Sequence, residues 1–444
     1  MDYVLPAGLR PLRHRAFSLF WGAGATSDIG TWVQLAAIGS LVAVSSGSAL
    51  ATAMVAAATF LPQGICCPLG GLLADRFERR KTFLVTLGAQ AVITSIIAVL
   101  IAIGLRNPFA LSGLVLLQSS AGALGQPSLQ AILPDLVPAD ELTAAVSLGV
   151  TSWNSGRVVG PLLATALVPF GAYWAVAANA ASFALLWIAI VMFRRQFHPS
   201  ATDRQSMRSE LAEGVRALRQ SRGCSAAVAT IVAVHLFVVP FVGLIPSTAR
   251  ALLRSGGTTV SDSSVTSIAA RLLSAQGLGA IVGSLVVANL VRRFRRSSLL
   301  TVAALAASLL VPLHTFMPGW ITTALVVFLM GSCVAIVQSV LGGVVQRDAT
   351  IQHRGRILSW YQGLNGLAYG VGLLTLGLVS DHIGLRATFI GTGVITAVLV
   401  CVARRSLTWA DAIDDRLVVT RHDDCDAEVG ARSGRTIALP VAGS

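Results

Sequence analysis

The sequence predicts an all-α membrane protein of twelve transmembrane helices in two pseudo-symmetric six-helix bundles. Three observations carry that prediction. The 444 residues are 54% hydrophobic and only 12% charged, with a mean hydropathy of +0.74, whereas soluble domains carry about 25% charged residues. The apolar residues come in runs of the ~20 that a helix needs to cross hydrocarbon. The cations gather in short loops between alternate runs, as Lys and Arg do on the cytoplasmic side of a membrane.

Taken in order, residues 1–15 read as a basic cytoplasmic arm carrying Arg10, Arg13 and Arg15. Helix 1 is expected at about 17–42. It carries Asp28, and its apolar run extends to Val44, too long and too polar for a cleaved signal peptide. After the uncharged turn Ser45–Ser48, helix 2 is expected at 49–73, with Pro62 and Pro68 as kinks that neighbouring helices tolerate. Helices 3 and 4 follow at 83–104 and 109–132, turning at Arg106-Asn107-Pro108. An acidic link at 134–142 leads to helices 5 and 6 at 144–168 and 172–193. Residues 194–223 form the longest internal polar segment. Met207, Leu211, Val215 and Leu218 fall on one helical face there, which predicts an amphipathic surface helix joining the two bundles. The remaining spans are expected at 225–246, 266–291, 298–316, 320–345, 356–379 and 386–403, and 406–444 reads as a polar, disordered cytoplasmic tail. The bundles are thus 16–193 and 224–405.

The charge of +13 sits in these loops, with no soluble domain to present a nucleic-acid face, so membrane sorting accounts for it. Of 33 Lys and Arg, 27 fall in segments placed inside. Arg106, Arg250, Arg254, Arg271 and Arg386 fall outside or in the first turn of a helix that starts there, and Arg157 lies within a helix. This asymmetry needs an even number of spans with both termini cytoplasmic, and it places the chain in the cell membrane. The single lysine, Lys81, follows Arg80 rather than a Gly-rich turn, so there is no Walker A loop. No His-Glu-x-x-His or Gly-x-Ser-x-Gly is present, the six cysteines have no metal-ligand spacing, and no enzyme, cofactor or disulfide framework is expected.

The halves repeat weakly. The turn at 74–80 has a degenerate counterpart at 291–297, with Arg292 in place of Asp75. The stretch 141–174 has another at 354–387. Fused repeats of this kind are expected of transporters.

The loop from Gly70 to Lys81 carries six charges in its last seven residues. Its Gly71, Asp75, Arg76, Arg79, Arg80 and Lys81 resemble the loop between helices 2 and 3 of major facilitator superfamily transporters, with Glu78 where most members have Gly. Together with Gly47-Ser-Ala, Leu136-Val-Pro, Glu141-Leu, Gly160-Pro161 and Arg354-Gly-Arg, the chain resembles the siderophore (enterobactin) exporter and drug-efflux branch of that superfamily over about 12–405. The resemblance implies the major facilitator fold and proton-coupled efflux of a small amphipathic molecule by alternating access. Uptake, movement of lysophospholipid, and a non-transporting receptor or scaffold are the alternatives. The expected partners are a small-molecule substrate, protons and the lipid bilayer, with the chain a monomer.

The candidate chemistry lies at membrane depth. Asp28, about 16 Å into helix 1, is the first candidate for proton coupling, because charges there face a cavity or a partner. Arg157 in helix 5 is the second, placed to attract an anionic substrate or to pair with Asp28. His235 is the third, with packing as its commoner role. Gly156, Gly160 and Pro161 resemble part of the helix 5 antiporter motif, with Ala164 at its last Gly. Gln118 stands where many relatives of that resemblance carry a helix 4 Arg, which shifts weight to Asp28 and Arg157. Trp32, Gln34, Gln118, Gln126, Asn154, Gln338, Gln362 and Asn365 are expected to line the substrate cavity. Trp153, Trp360 and Tyr361 are further ring-stacking candidates. Gly71, Asp75, Arg76, Arg79, Arg80, Gly160 and Pro161 are expected to gate, with the loop arginines forming salt bridges between the halves.

Overall fold

The structure is a computed structural model that describes residues 7–192, 216, 222–348 and 354–407. The expected linker and tail fall outside these residues except at their edges. The first half holds α1 (Arg15–Ser46), α2 (Ala49–Arg76), α3 (Arg79–Ala102), α4 (Pro108–Ile132), α5 (Leu142–Leu167) and α6 (Ala172–Val191). The second holds α7 (Arg222–Phe237), α8 (Ile245–Ser255), α9 (Asp262–Arg293), α10 (Arg296–Leu313), α11 (Trp320–Asp348), α12 (Arg354–Ile383) and α13 (Leu385–Leu407).

Local chemistry sets the turns. Gly47 ends α1 in the left-handed region at φ 68°, a conformation a side chain resists. Ser48 then caps α2 by accepting from the Ala51 amide at 3.0 Å. Asn107 caps α4, whose first residue is Pro108, and Ser261 and Ser264 form a reciprocal cap on α9. Pro62 and Pro68 leave α2 unbroken. The seventh span differs from expectation. It is not one helix over 225–246 but α7 and α8, bent by 42° around a 3-10 turn at Val239–Val242. Pro240 and Pro246 each remove a backbone donor there, which breaks the helix. The second piece, α8, runs on to Ser255, through residues expected to be loop.

Among the described residues, ten helices are long and apolar enough to cross a membrane, and the α7–α8 pair makes eleven. The remaining helix, α5, has 26 residues. Asn154 and Arg157 lie in the middle of it and interrupt its apolar run. The outward faces are apolar: Val85, Val92 and Val99 on α3, Leu185 and Ile188 on α6, Val302 and Leu309 on α10, Val394, Val398 and Val402 on α13 are all exposed. In water such a surface would be an aggregation patch. In lipid it is the expected exterior.

Successive spans alternate direction, so one end of the bundle carries Gly47, Arg106, Gly171 and Gly384 and the other carries Arg76, Glu141 and Arg293. The halves meet where α2 packs on α12, α5 on α9, and α1 on α9 and α8. At the Gly47 end one apolar core runs across both halves, from Val33, Ala36, Ala53 and Ala56 to Val238, Phe241, Ile245 and Leu373. At the Arg76 end the first half has a core of its own, around Phe17, Phe83, Leu87, Ile132, Leu148 and Phe183. Exposure follows the same division. On α1, residues 36–43 are buried throughout, whereas between 17 and 30 only one face is. On α2, residues 55–58 are buried and none of 63–69 is. The halves are closed together at the Gly47 end and part toward the Arg76 end.

Candidate functional site

The site lies where the halves begin to part. On α5, Ser152, Gly156 and Gly160 recur every four residues and so share one face. That face meets α1 closely. A Cβ on Gly160 would lie 2.6 Å from Trp32 Cβ and 2.8 Å from the Ile29 carbonyl oxygen, and one on Gly156 would lie 3.0 Å from the Asp28 backbone. Only glycine allows this approach. It brings the Ser152 hydroxyl to the Asp28 carboxylate, to which it donates a hydrogen bond.

Arg157 and Trp153 occupy the neighbouring stripe of α5. The Arg157 guanidinium lies over the Trp32 ring, 5.1 Å from its centroid. Its stem packs on α9, where a Cβ at Gly277 would come within 3.3 Å of it, and Ser274 of α9 donates to the Val158 carbonyl at 2.7 Å. No ion pair joins Asp28 to Arg157 among the described residues. The Asp28–Ser152 bond and the Arg157–Trp32 stack hold the two charges apart. The Arg157 Nε is buried with no hydrogen-bond partner, as is Trp32 Nε1. A cation–π contact contributes up to about 2 kcal/mol, while an unpaired buried charge costs several. The stack alone does not offset the charge.

Aromatic rings continue from Trp32 across the interface. Trp32 lies 5.5 Å from Trp153 and 6.2 Å from Phe60 of α2, and Phe60 lies 5.1 Å from Tyr369 of α12. Arg157, Tyr369 and His235 are within electrostatic reach of one another. His235 of α7 bonds the Ile231 carbonyl at 2.9 Å and Gln338 of α11 at 3.2 Å. Asn365 lies one turn from Tyr369, with a buried, unpartnered Oδ1.

Other candidates lie elsewhere. Gln34 donates to Gln118 at 2.7 Å and accepts from Asn179 of α6 at 2.7 Å, in a buried knot that ties α1, α4 and α6 inside the first half. These two glutamines lie inside that half rather than in the opening between the halves, because each satisfies the other's buried amide. Asn154 bonds back to the Val150 carbonyl of its own helix, and Gln126 is exposed on α4. Among the gating candidates, Pro161 is buried beside Gly160, Gly71 has open space around it, and Arg76 is exposed. Arg79 donates to the Ala131 carbonyl at 3.4 Å and Arg80 to Val191 at 2.9 Å. Both arginines serve the ends of α4 and α6 in their own half, where helix carbonyls lack partners; the salt bridges between the halves are expected of the state in which this end is closed, which is not the state seen here. The side chains of Asp75, Trp360, Tyr361 and Gln362 lie outside the described residues.

Sequence reasoning missed Ser152, Phe60, Tyr369 and Asn179. Tyr369 had a signal in its four-residue spacing from Asn365, and Asn179 in being a polar residue inside an apolar run. Nothing local marked Phe60.

The sequence profile of the transmembrane secretion effector family matches residues 6–439. The chain belongs to that family of major facilitator transporters. Relatives of this transmembrane secretion effector include macrolide efflux protein A of Streptococcus pyogenes, 27% identical over 87% of this chain and 95% of its own length. The multidrug efflux pump Tap of Mycobacterium tuberculosis is 26% identical over 81% and 86%. In fold it is similar to the nucleoside transporter NupG, with a TM-score of 0.69 at 13% identity, covering 88% of this chain and 99% of that one. It is also similar to a bacterial homolog of the lysosomal transporter Spinster in an inward-facing, unoccupied conformation, with a TM-score of 0.67 at 14% identity over 90% and 98%. The transmembrane secretion effector is thus a multi-pass membrane transporter of small molecules and not an enzyme.

Proposed function

We propose that this transporter exports a drug-like amphipathic molecule in exchange for protons, by rocking its two halves about the central site, with both termini in the cytoplasm. The names of its relatives support efflux and the drug-like class, and the distribution of cations supports the orientation. The observation that carries proton coupling is the Asp28 carboxylate. It lies near the middle of α1, bonded to a neutral hydroxyl and to no cation among the described residues. A carboxylate so placed is free to take up a proton when the site faces one side and to lose it when the site faces the other. An Asp locked to Arg157 would not be. The Ser152 contact changes strength with each protonation, which links the charge of α1 to the position of α5.

The test is transport in proteoliposomes under an imposed pH gradient, using 8-anilino-1-naphthalenesulfonate as a fluorescent amphipath. Asp28→Asn is expected to abolish gradient-driven accumulation while leaving the protein folded and able to exchange the dye without a gradient. Gradient-driven transport at the wild-type rate in the variant would remove Asp28 as the proton site.

A further inference from the structure

We infer that the central site takes an acidic amphipath, a flat apolar ring system bearing a carboxylate, which docks its ring against Trp153 and Phe60 and its acid group on Arg157. The inference rests on the export reading for the direction of movement only. Four features carry it. First, Arg157 is at membrane depth with no carboxylate partner among the described residues. The nearest candidate, Asp28, is held by Ser152. Second, the residue as a whole is half-buried rather than sealed. Third, the unpartnered polar atoms beside it are both donors. Arg157 Nε and Trp32 Nε1 each present a buried N–H with nothing to receive it. A cationic ligand answers neither, whereas a carboxylate oxygen answers both. Fourth, the surroundings are flat rings from both halves, with centroids 5.1–6.2 Å apart. At that spacing the rings pack on one another, while Trp153 and Phe60 are themselves only half-buried.

The charges on the other faces of Arg157 do not compete. From α12 the facing group is Tyr369, from α7 it is His235, and from α9 the uncharged Ser274 and Gly277. A bound acid would neutralise the guanidinium at the point where α1, α5 and α12 meet.

The test uses equilibrium binding without any gradient, so that proton coupling plays no part. Purified wild type is titrated by calorimetry with 2-naphthoate and with 2-naphthamide, which differ in the acid group alone. The acid is expected to bind about tenfold or more tightly than the amide, the discrimination of one hydrogen bond to a charged group. In Arg157→Gln that preference should vanish while amide affinity stays within about twofold, and in Arg157→Lys the preference should survive in weakened form. Equal binding of acid and amide to wild type overturns the inference, even if the variants do not fold. A preference that persists in Arg157→Gln overturns it as well. Failure here together with Asp28-dependent dye export would leave the export reading standing, and the reverse result would leave the acid site standing.

Discussion

At the Gly47 end, polar contacts cross from one half of the transporter to the other. Asp381, near the end of α12, accepts from the Ala49 amide at 2.6 Å, the Leu50 amide at 3.2 Å and the Ser48 hydroxyl, so it caps the N-terminus of α2. Arg250 of α8 donates to the Gly47 carbonyl at 2.8 Å, and Arg106 pairs with Asp262 at 3.0 Å. At the Arg76 end, Glu141 holds Arg13 at 2.5 Å and His14 at 3.0 Å, while Arg79 and Arg80 serve α4 and α6, all within the first half. Both ends are rich in capping groups. What differs is whether the cap belongs to the helix's own half. A cap shared between halves must break when they rock apart, and a cap inside one half travels with it. The Gly47 end is therefore the latched end in this conformation, and the Arg76 end is where the site opens.

The comparison breaks most sharply on α2 itself, which spans both ends. Beside α12, a Cβ on Gly64 would lie 2.7 Å from the Gly363 carbonyl oxygen and 3.0 Å from the Leu367 amide, and a Cβ on Gly370 would lie 2.6 Å from Leu61. Gly71, two turns further toward the Arg76 end, has nothing within 4 Å. Gly64→Val is expected to pry the seam apart and destabilise the folded state by about 1–3 kcal/mol, the usual cost of overpacking. Gly71→Val should cost a few tenths of that. Thermal unfolding in detergent measures both, and equal losses would mean that the two ends are packed alike.

A smaller effect is expected at the cap. Asp381→Asn keeps an acceptor but removes the charge that faces the positive end of α2. The loss is about 1 kcal/mol, as for other helix caps. Because the lost contact joins the halves, the effect should appear as opening rather than as unfolding. A cysteine placed at Ser46 should react several-fold faster with a membrane-impermeant maleimide in Asp381→Asn than in the parent. Unchanged labelling with a lowered unfolding temperature would make Asp381 a cap for stability alone.

The fold was legible because lipid imposes a simple rule: runs of apolar residues, turned by charge, become spans. That rule reached α1–α6 and α9–α13 but failed at one place. It read 225–246 as one helix because hydropathy does not register the donors that Pro240 and Pro246 remove. At the site, depth singled out Asp28 and then Arg157 for proton coupling, and Gln34 and Gln118 for the cavity lining. Which of them face the opening depends on helix rotation, which a single sequence fixes only through small-residue spacing, as at Gly156 and Gly160. The partners that separate them, Ser152 and Asn179, are ordinary polar residues until α1 is laid against α5 and α6. Asp381 drew no expectation from the sequence, since its meaning comes from a helix end more than three hundred positions away in the chain.

The weakest of the cross-half contacts sharpens the comparison from the other side. Arg106 and Asp262 are exposed, at 57% and 26% of their side chains, and pairs of this kind contribute about 0.2–1 kcal/mol, less as salt screens them. If the Gly47 end is held mainly by the α2 cap and the glycine seam, Arg106→Ala should raise labelling at Ser46→Cys by about twofold at most. That difference should fade at about 1 M salt. The Asp381→Asn effect should persist under the same conditions, because the Asp381–Ala49 contact is half-buried at the helix end. A large, salt-sensitive effect of Arg106→Ala would instead make surface electrostatics the latch. The seam of α2 on α12 would then be a hinge that stays packed in both conformations.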